Sequence, residues 1–309
     1  MPFWCVFVVL ISLWAVPCAR AQTSTLPQQS RITIGGGRID VACDDTGLQV
    51  SCKSMLAWVR TSATAVATFY SRFPVGTLFL KIAPAMAGRG RIHGTTFGRK
   101  DSALIRIFVS PLTTDADLRD DWVMTHEMVH LALPSLTPEH HWLEEGIATY
   151  VEPIARAESG TLDVQTVWRE LVDGLPNGLP QPGDQGLDNT HTWGRTYWGG
   201  ALFCLLADVE IHQRTANKRG LRDALRAILN AGGNIEVDWP VARALKAGDD
   251  GVGVPVLTGL YDRMKATPTQ TDLPMLWKQL GVQASGNTVI FDDEASLAAI
   301  RRAITSKLP

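Results

Sequence analysis

The order of apolar and polar residues predicts strands in the first third of the chain. Runs rich in β-branched and other apolar residues are separated there by glycine, proline or charged turn residues. The runs are RITIGGGRIDVAC and LQVSC, which together predict a short hairpin, and then VGTLFLKIAP, GRIHGTTFG and ALIRIFVSP. Between the hairpin and the later runs, KSMLAWVRTSATAVATFYSRF has helical periodicity. We therefore expect a small mixed sheet with one early helix.

Helical periodicity dominates the second half of the chain. It predicts helices at about 193–214, 220–231, 240–247, 254–266, 273–280 and 294–306. Before them lies a Gly/Pro/Asn-rich stretch, VDGLPNGLPQPGDQGLDNTHT, whose length is typical of a functional edge. The expected class is α+β. We expect one domain at 22–309. In it a subdomain at 22–190 combines the mixed sheet with the helices of the middle segment packed on it, and an α-helical subdomain follows at 191–309.

The first residues predict export from the cytoplasm. An apolar run from Phe3 to Val16 precedes a small-x-small site at Ala19 and Ala21. The run suits the core of a signal peptide and is short for a membrane span. We expect a signal peptide at 1–21 and a periplasmic or secreted protein. A retained anchor is the alternative, because no basic residue precedes the apolar run.

Charge and cysteine content limit the possible binding partners and the cellular compartment. The net charge is −2 and lysine and arginine form no run, which argues against nucleic acid or an anionic membrane as partner. Cys43 and Cys52 flank DDTGLQVS, a turn-like stretch, and predict a disulfide in an oxidising compartment. Cys204 lies in the apolar run GGALFCLLADVEI and is expected to be a buried free thiol.

The stretch THEMVH contains the first candidate chemistry. His126 and His130 are four residues apart, so on a helix both imidazoles project from one face. Glu127 lies beside them and completes H-E-x-x-H, in which two histidines bind zinc and the glutamate is a general base. The motif is short. A polar helix with two surface histidines remains the alternative at this point.

A second acidic helix follows the first. WLEEGIATYVEP carries Glu144 and Glu145, and adjacent residues on a helix point about 100° apart, so only one of them can face a metal. A catalytic zinc site uses three protein ligands, and two histidines with one glutamate are an established set. Thr149, one turn beyond Glu145, is placed to hydrogen-bond a ligand histidine.

Together, HEMVH and WLEEGIATYVE resemble the gluzincin zinc metallopeptidases of the MA clan. The resemblance is strongest to the M1-like and M61-like branches, whose second motif is W-L-x-E-G-x-A-x-Y. It implies one zinc ion held by His126, His130 and Glu145, with Glu127 as base. GRTYWGGALFCLL is similar to the helix start that supplies the family's transition-state tyrosine, which implies Tyr197. ALIRIFVSP stands where the resemblance implies an edge strand that pairs with an extended peptide.

The chain also departs from that family. Fourteen residues separate His130 from Glu145, a shorter connection than is usual in M1 aminopeptidases. The G-x-M-E-N segment that holds a substrate amine in those enzymes is missing from the sequence.

The other histidines are expected in lesser roles. His140 and His141 are interpreted as surface or supporting residues, and His93 and His212 as structural. His191 is interpreted as an exposed loop residue, or else as a second donor to an oxyanion.

The sequence therefore predicts an exported zinc metallopeptidase that hydrolyses peptide bonds with a zinc-activated water. Its partner is a peptide or protein substrate. The alternatives are an inactive zinc-containing module that binds peptides in the cell envelope, and a structural protein without metal. The preference for internal or terminal bonds, the natural substrate and the oligomeric state stay open.

Overall fold

Residues 27–85 and 92–306 are described by the structure, a computed structural model. The signal peptide expected at 1–21 lies outside these residues. Within them, no helix combines the length and the apolar character that a membrane span requires.

Five strands form one mixed sheet. They are β1 (Gln28–Ile34), β2 (Gly37–Cys43), β3 (Thr77–Pro84), β4 (Ile92–Arg99) and β5 (Ser102–Val109). Their order in the sheet is β1-β2-β3-β5-β4. The pairs β2/β3 and β3/β5 are parallel, and the outer pairs β1/β2 and β4/β5 are antiparallel. The small mixed sheet expected from the sequence is confirmed.

Helix α1 (Cys52–Tyr70) supplies one layer of the core. Ser51 caps it by accepting a hydrogen bond from the backbone N–H of Ser54. Its apolar face and alternate residues of the central strands, such as Leu80 and Ile105, belong to one buried cluster. Phe79, on the other face of the sheet, is 42% exposed. The sheet is therefore covered on one face, as its alternating strand pattern requires.

Two expectations about the strands were wrong. The hairpin is formed by RITIGGGRIDVAC and the three residues before it, because Gly35 and Gly36 both adopt positive φ and form its two-residue turn. LQVSC is not a strand, since Ser51 caps α1 at this point. ALIRIFVSP, the expected edge strand, is β5 and lies inside the sheet. The edge is β4, which pairs with β5 as a hairpin and thereby covers its outer side.

The rest of the described chain is mainly helical, which confirms the α+β class. The helices are α2 (Asp115–Asp120), α3 (Val123–His130), α4 (His141–Ser159), α5 (Val164–Gly174), α6 (Gly200–Arg214), α7 (Leu221–Asn230), α8 (Val241–Val252), α9 (Leu257–Met264), α10 (Leu273–Leu280) and α11 (Ala298–Ile304). The sequence analysis did not anticipate α5 or a small hairpin of β6 (Val282–Ser285) and β7 (Thr288–Phe291).

Helix α4 is the central helix and packs against α1, α3 and α6. Its contact with α6 includes a buried hydrogen bond, in which the Tyr150 hydroxyl donates to Asp208 over 2.9 Å. Because α3 and α4 carry the two sequence motifs, this packing brings the motifs together.

Candidate metal centre

Helix α3 carries H-E-x-x-H on a buried segment. Asp121 accepts a hydrogen bond from the backbone N–H of Met124 at the start of this helix, over 3.3 Å. His126 is buried and His130 is half-buried, and their ring centroids are 4.9 Å apart. The polar helix with two surface histidines, left open by the sequence, is thus not what the structure shows.

Helix α4 brings Glu145 to the two histidines. Its Oε2 lies 3.1 Å from His126 Nε2 and 3.6 Å from His130 Nε2. One potential ligand atom from each of the three residues falls within 4.8 Å of the others. Two ligand atoms about 2.1 Å from one zinc at tetrahedral positions would be roughly 3.4 Å apart. The donor set, two imidazoles and one carboxylate, therefore fits zinc in type and in spacing.

Burial and mutual contact set the charges of this cluster. Burial, helped by the neighbouring His126, lowers the pKa of His130 to about 3 and keeps that imidazole neutral. Burial tends to raise the pKa of Glu145, but contacts with His126, His130 and His141 outweigh it and leave the pKa below its ordinary value. A neutral imidazole and an ionised carboxylate are the forms that bind a metal.

Glu127 is held against the edge strand β4. The hydroxyl of Thr96 lies 2.6 Å from Glu127 Oε2 and donates to it. A Cβ at Gly94 would lie only 2.5 Å from Glu127 Cγ, so a larger residue there would displace the Glu127 side chain from this position. Burial raises the pKa of Glu127, and the Thr96 hydrogen bond partly offsets this. The sequence analysis missed both residues, because Thr96 lies thirty-one positions from Glu127 in the sequence and Gly94 lies still further away.

Tyr197 lies beside the cluster. It belongs to a π-helical turn, Gly194–Gly199, that leads into α6, and such turns are frequent at functional sites. Its ring centroid is 6.4 Å from that of His126. Burial, with the nearby carboxylates of Glu145 and Glu127, raises its pKa and keeps the phenol protonated. Tyr197 can therefore donate a hydrogen bond toward the cleft.

Two glycines let Tyr197 approach Glu145. A Cβ at Gly146, the residue after Glu145, would lie 2.3 Å from the Cα of Gly200. A Cβ at Gly200 would likewise lie 2.2 Å from the carbonyl oxygen of Trp142. The backbones of α4 and α6 thus cross in direct contact, which explains the glycine in each motif.

These side chains line one cleft of about 680 Å³ between β4 and the two helices. Residues 92–98 of β4 contribute one wall, and the other includes Trp122, Tyr197 and the His/Glu cluster. Three side chains that could hold a metal ion, a neighbouring carboxylate and a phenol donor share this space. The arrangement suits hydrolysis of a carbonyl compound by an activated water.

Known protein structures share this architecture, although no family model matches the sequence. An M1 zinc metallopeptidase from Deinococcus radiodurans, solved as a single-residue mutant, matches with a TM-score of 0.51 at 14% identity, over 80% of this chain and 54% of that protein. An aminopeptidase N family protein from Idiomarina loihiensis matches with a TM-score of 0.55 at 13% identity, over 83% of this chain and 49% of that one. The chain shares the fold of the M1 zinc metallopeptidases. It spans about half the length of these matched structures.

The remaining predicted residues lie around the cluster or away from it. His141 lines the cleft, with Nδ1 3.2 Å from Glu144 Oε2 and Nε2 3.4 Å from Glu145 Oε1. Glu144 also accepts a hydrogen bond from the backbone N–H of Leu136, over 3.0 Å. Its carboxylate therefore faces the connection between α3 and α4. Thr149 is half-buried on α4 and His191 is exposed. The supporting roles suggested for these last two stay predictions.

Three further histidines contact other protein side chains, and of these His93 lies in the β4 wall of the cleft. His140 lies 2.9 Å from the Tyr261 hydroxyl, and His93 stacks on Phe108. His212 is buried, 3.4 Å from Asp208. His140 is buried, so of its two expected positions the surface one is wrong. The structural roles expected for His93 and His212 stay predictions.

Proposed function

We propose that this protein is an exported zinc-dependent peptidase that hydrolyses peptide bonds. The observation that carries the proposal is the meeting of His126, His130 and Glu145 in one cleft, with the Glu127 carboxylate beside them. The fold shared with M1 zinc metallopeptidases supports it. Export is proposed from the apolar segment within 1–21.

The proposed ligands of the zinc are His126, His130 and Glu145. Three protein ligands leave one position open, as catalytic zinc sites require. When bound, zinc acts as a Lewis acid that lowers the pKa of a water toward about 7.

Glu127 is the proposed general base. It takes a proton from the attacking water at Oε1, because Thr96 holds Oε2. Contact with Gly94 on one side and the hydrogen bond from Thr96 restrict the rotation of this carboxylate. A base fixed in this way needs little reorganisation when the water attacks.

Tyr197 and β4 are the proposed substrate-facing groups. The Tyr197 hydroxyl donates to the oxygen that becomes negative when the peptide carbonyl is attacked. An extended peptide adds to the outer edge of β4, which within the described residues pairs with β5 alone. In this arrangement the scissile bond lies over α3.

Metal content is the first test. Protein purified without chelator and reconstituted with zinc should contain about one zinc per chain. Glu145→Gln should lose most of it. Glu144→Gln is the matched control, since Glu144 faces Leu136 and His141, and it should keep the metal. Equal zinc in both variants would reject the ligand set.

Glu127→Gln is the second test. It keeps the shape of the side chain but cannot accept the proton, so zinc should remain while hydrolysis falls by about 10² to 10⁴. Hydrolysis of a protein substrate, followed by mass spectrometry, measures this. If the parent binds zinc and peptides but never cleaves them, the peptide-binding module is the correct function.

A further inference from the structure

Four aromatic rings form a continuous row, in which three rings line the cleft and the fourth, that of Trp193, lies against Tyr197. The ring centroids are 5.2 Å apart for Trp122 and His126, 6.4 Å for His126 and Tyr197, and 6.2 Å for Tyr197 and Trp193. We call these four residues the aromatic row. His126, one of the three cluster residues, lies within the row, so the row is part of the same site.

Both ends of the aromatic row are open to solvent. Trp122 is 51% exposed and Trp193 is 63% exposed. Eight tryptophans lie in the described ranges, and these two are the exposed ones among them. Exposed indole is unfavourable in water, and aromatic residues that remain exposed near a cleft commonly mark contact sites. The two exposed tryptophans of the described residues both belong to this row, which indicates a surface that a ligand covers.

We propose that the aromatic row is a substrate subsite for an aromatic or bulky apolar side chain next to the scissile bond. This proposal rests on the peptidase function proposed above and specifies its substrate class. One extended residue spans about 3.5 Å, and both neighbours of His126 in the row lie within two such lengths. A side chain flanking the bond can therefore reach the row.

The charges around the cleft favour the same class of side chain. Glu127, Glu144 and Glu145 line it, and no lysine or arginine is among its described lining residues. An acidic side chain beside the scissile bond would meet these carboxylates, and His141, which also lines the cleft, already contacts Glu144 and Glu145. An aromatic ring can stack on Trp122 or Tyr197 at the 4.5–7 Å separations that such pairs prefer.

Matched peptides test the proposal. Internally quenched peptides of Gly and Ser would carry one variable residue, which is Phe, Ala or Asp, with both ends blocked. Zinc-reconstituted protein should cleave the Phe peptide with a kcat/KM at least about tenfold above the Ala peptide. The Asp peptide should be the poorest substrate. Mass spectrometry of the products should place the cleaved bond directly beside Phe.

Substitutions in the aromatic row test whether its residues cause the preference for the Phe peptide. In Trp122→Ala and Trp193→Ala the ratio of kcat/KM for the Phe peptide to that for the Ala peptide should fall by about tenfold or more. Phe79→Ala is the matched control, because Phe79 is an exposed aromatic on the outer face of the sheet. It should keep the parent's ratio. Calorimetric titration of the Glu127→Gln variant with both peptides measures the same preference as binding, without turnover.

The outcomes separate the two proposals. If no peptide is cleaved, or Glu127→Gln cleaves as fast as the parent, the peptidase function is wrong. If cleavage depends on Glu127 but Phe and Ala peptides react alike, only the subsite is wrong. A preference for Phe that both tryptophan variants retain also overturns the subsite, and so does equal binding of the two peptides to Glu127→Gln.

Discussion

At the scale of single residues, Glu127 is positioned by two neighbours that carry no charge. Thr96 donates a hydrogen bond to one carboxylate oxygen, and Gly94 allows the strand backbone to lie against the side chain. Both residues come from β4, whereas Glu127 comes from α3. The orientation of the carboxylate is therefore set by the distance between the sheet and the helix.

Tyr197→Phe tests the role of the phenol. If its hydroxyl stabilises the oxyanion, removing it should lower kcat by about 10² to 10³ and leave KM nearly unchanged. Zinc content and Tm should stay near those of the parent, because the ring that contacts His126 and Trp193 is retained. Steady-state kinetics on a single peptide, with zinc analysis and a melting curve, checks this. A parent-like kcat would make Tyr197 a packing residue and His191 the next candidate.

At the scale of helices and strands, local sequence patterns predicted the cluster of His126, His130 and Glu145. The residues that surround it depend on contacts between segments far apart in the sequence. The spacing of His126 and His130 is a property of one helical turn, and Glu145 follows in the next helix. All three residues could therefore be predicted from the sequence. The order of strands depends on which segments pair across long sequence distances. For this reason β4, rather than β5, proved to be the edge, and Thr96 and Gly94 were not identified.

The start of α3 should make stability depend on pH. Burial raises the pKa of Asp121 to about 6 from an ordinary 3.8, so the folded state binds this proton more tightly than the unfolded chain. The stabilisation is complete below about pH 4 and is lost as pH rises through 6, by at most about 3 kcal/mol. In Asp121→Asn the side chain is neutral at every pH in this range and can still accept the hydrogen bond from the backbone N–H of Met124.

Melting curves of both proteins from pH 4 to 7 measure this effect. The Tm of Asp121→Asn minus that of the parent should increase with pH across that range. Protonation of the histidines affects both proteins and cancels in the difference. A constant difference would show that Asp121 titrates normally in the folded protein.

At the scale of the whole molecule, a covalent link joins the sheet to the helical layer. Cys43 at the end of β2 and Cys52 at the start of α1 form a disulfide. Cys204 is a free thiol buried in α6. The link closes a short loop, so in the chain-entropy description it should stabilise the fold by about 2 to 3 kcal/mol.

Replacing both Cys43 and Cys52 by serine should therefore lower Tm by several degrees while Cys204 stays unreactive in the folded protein. Differential scanning calorimetry of this double variant measures the loss. Alkylation of the denatured, unreduced parent should label Cys204 and leave Cys43 and Cys52 unlabelled. Labelling of Cys43 in that experiment would contradict the pairing.

The crossing of α4 and α6 at Gly146 and Gly200 has a consequence for changes in chain length. Because the two backbones touch there, Glu145 and Tyr197 keep their separation whatever the length of the chain between them. That intervening chain includes an exposed turn at 181–183. Insertions at such a turn cost little closure entropy. Insertions in this turn can thus change the surface there while Glu145 and Tyr197 keep their relative positions.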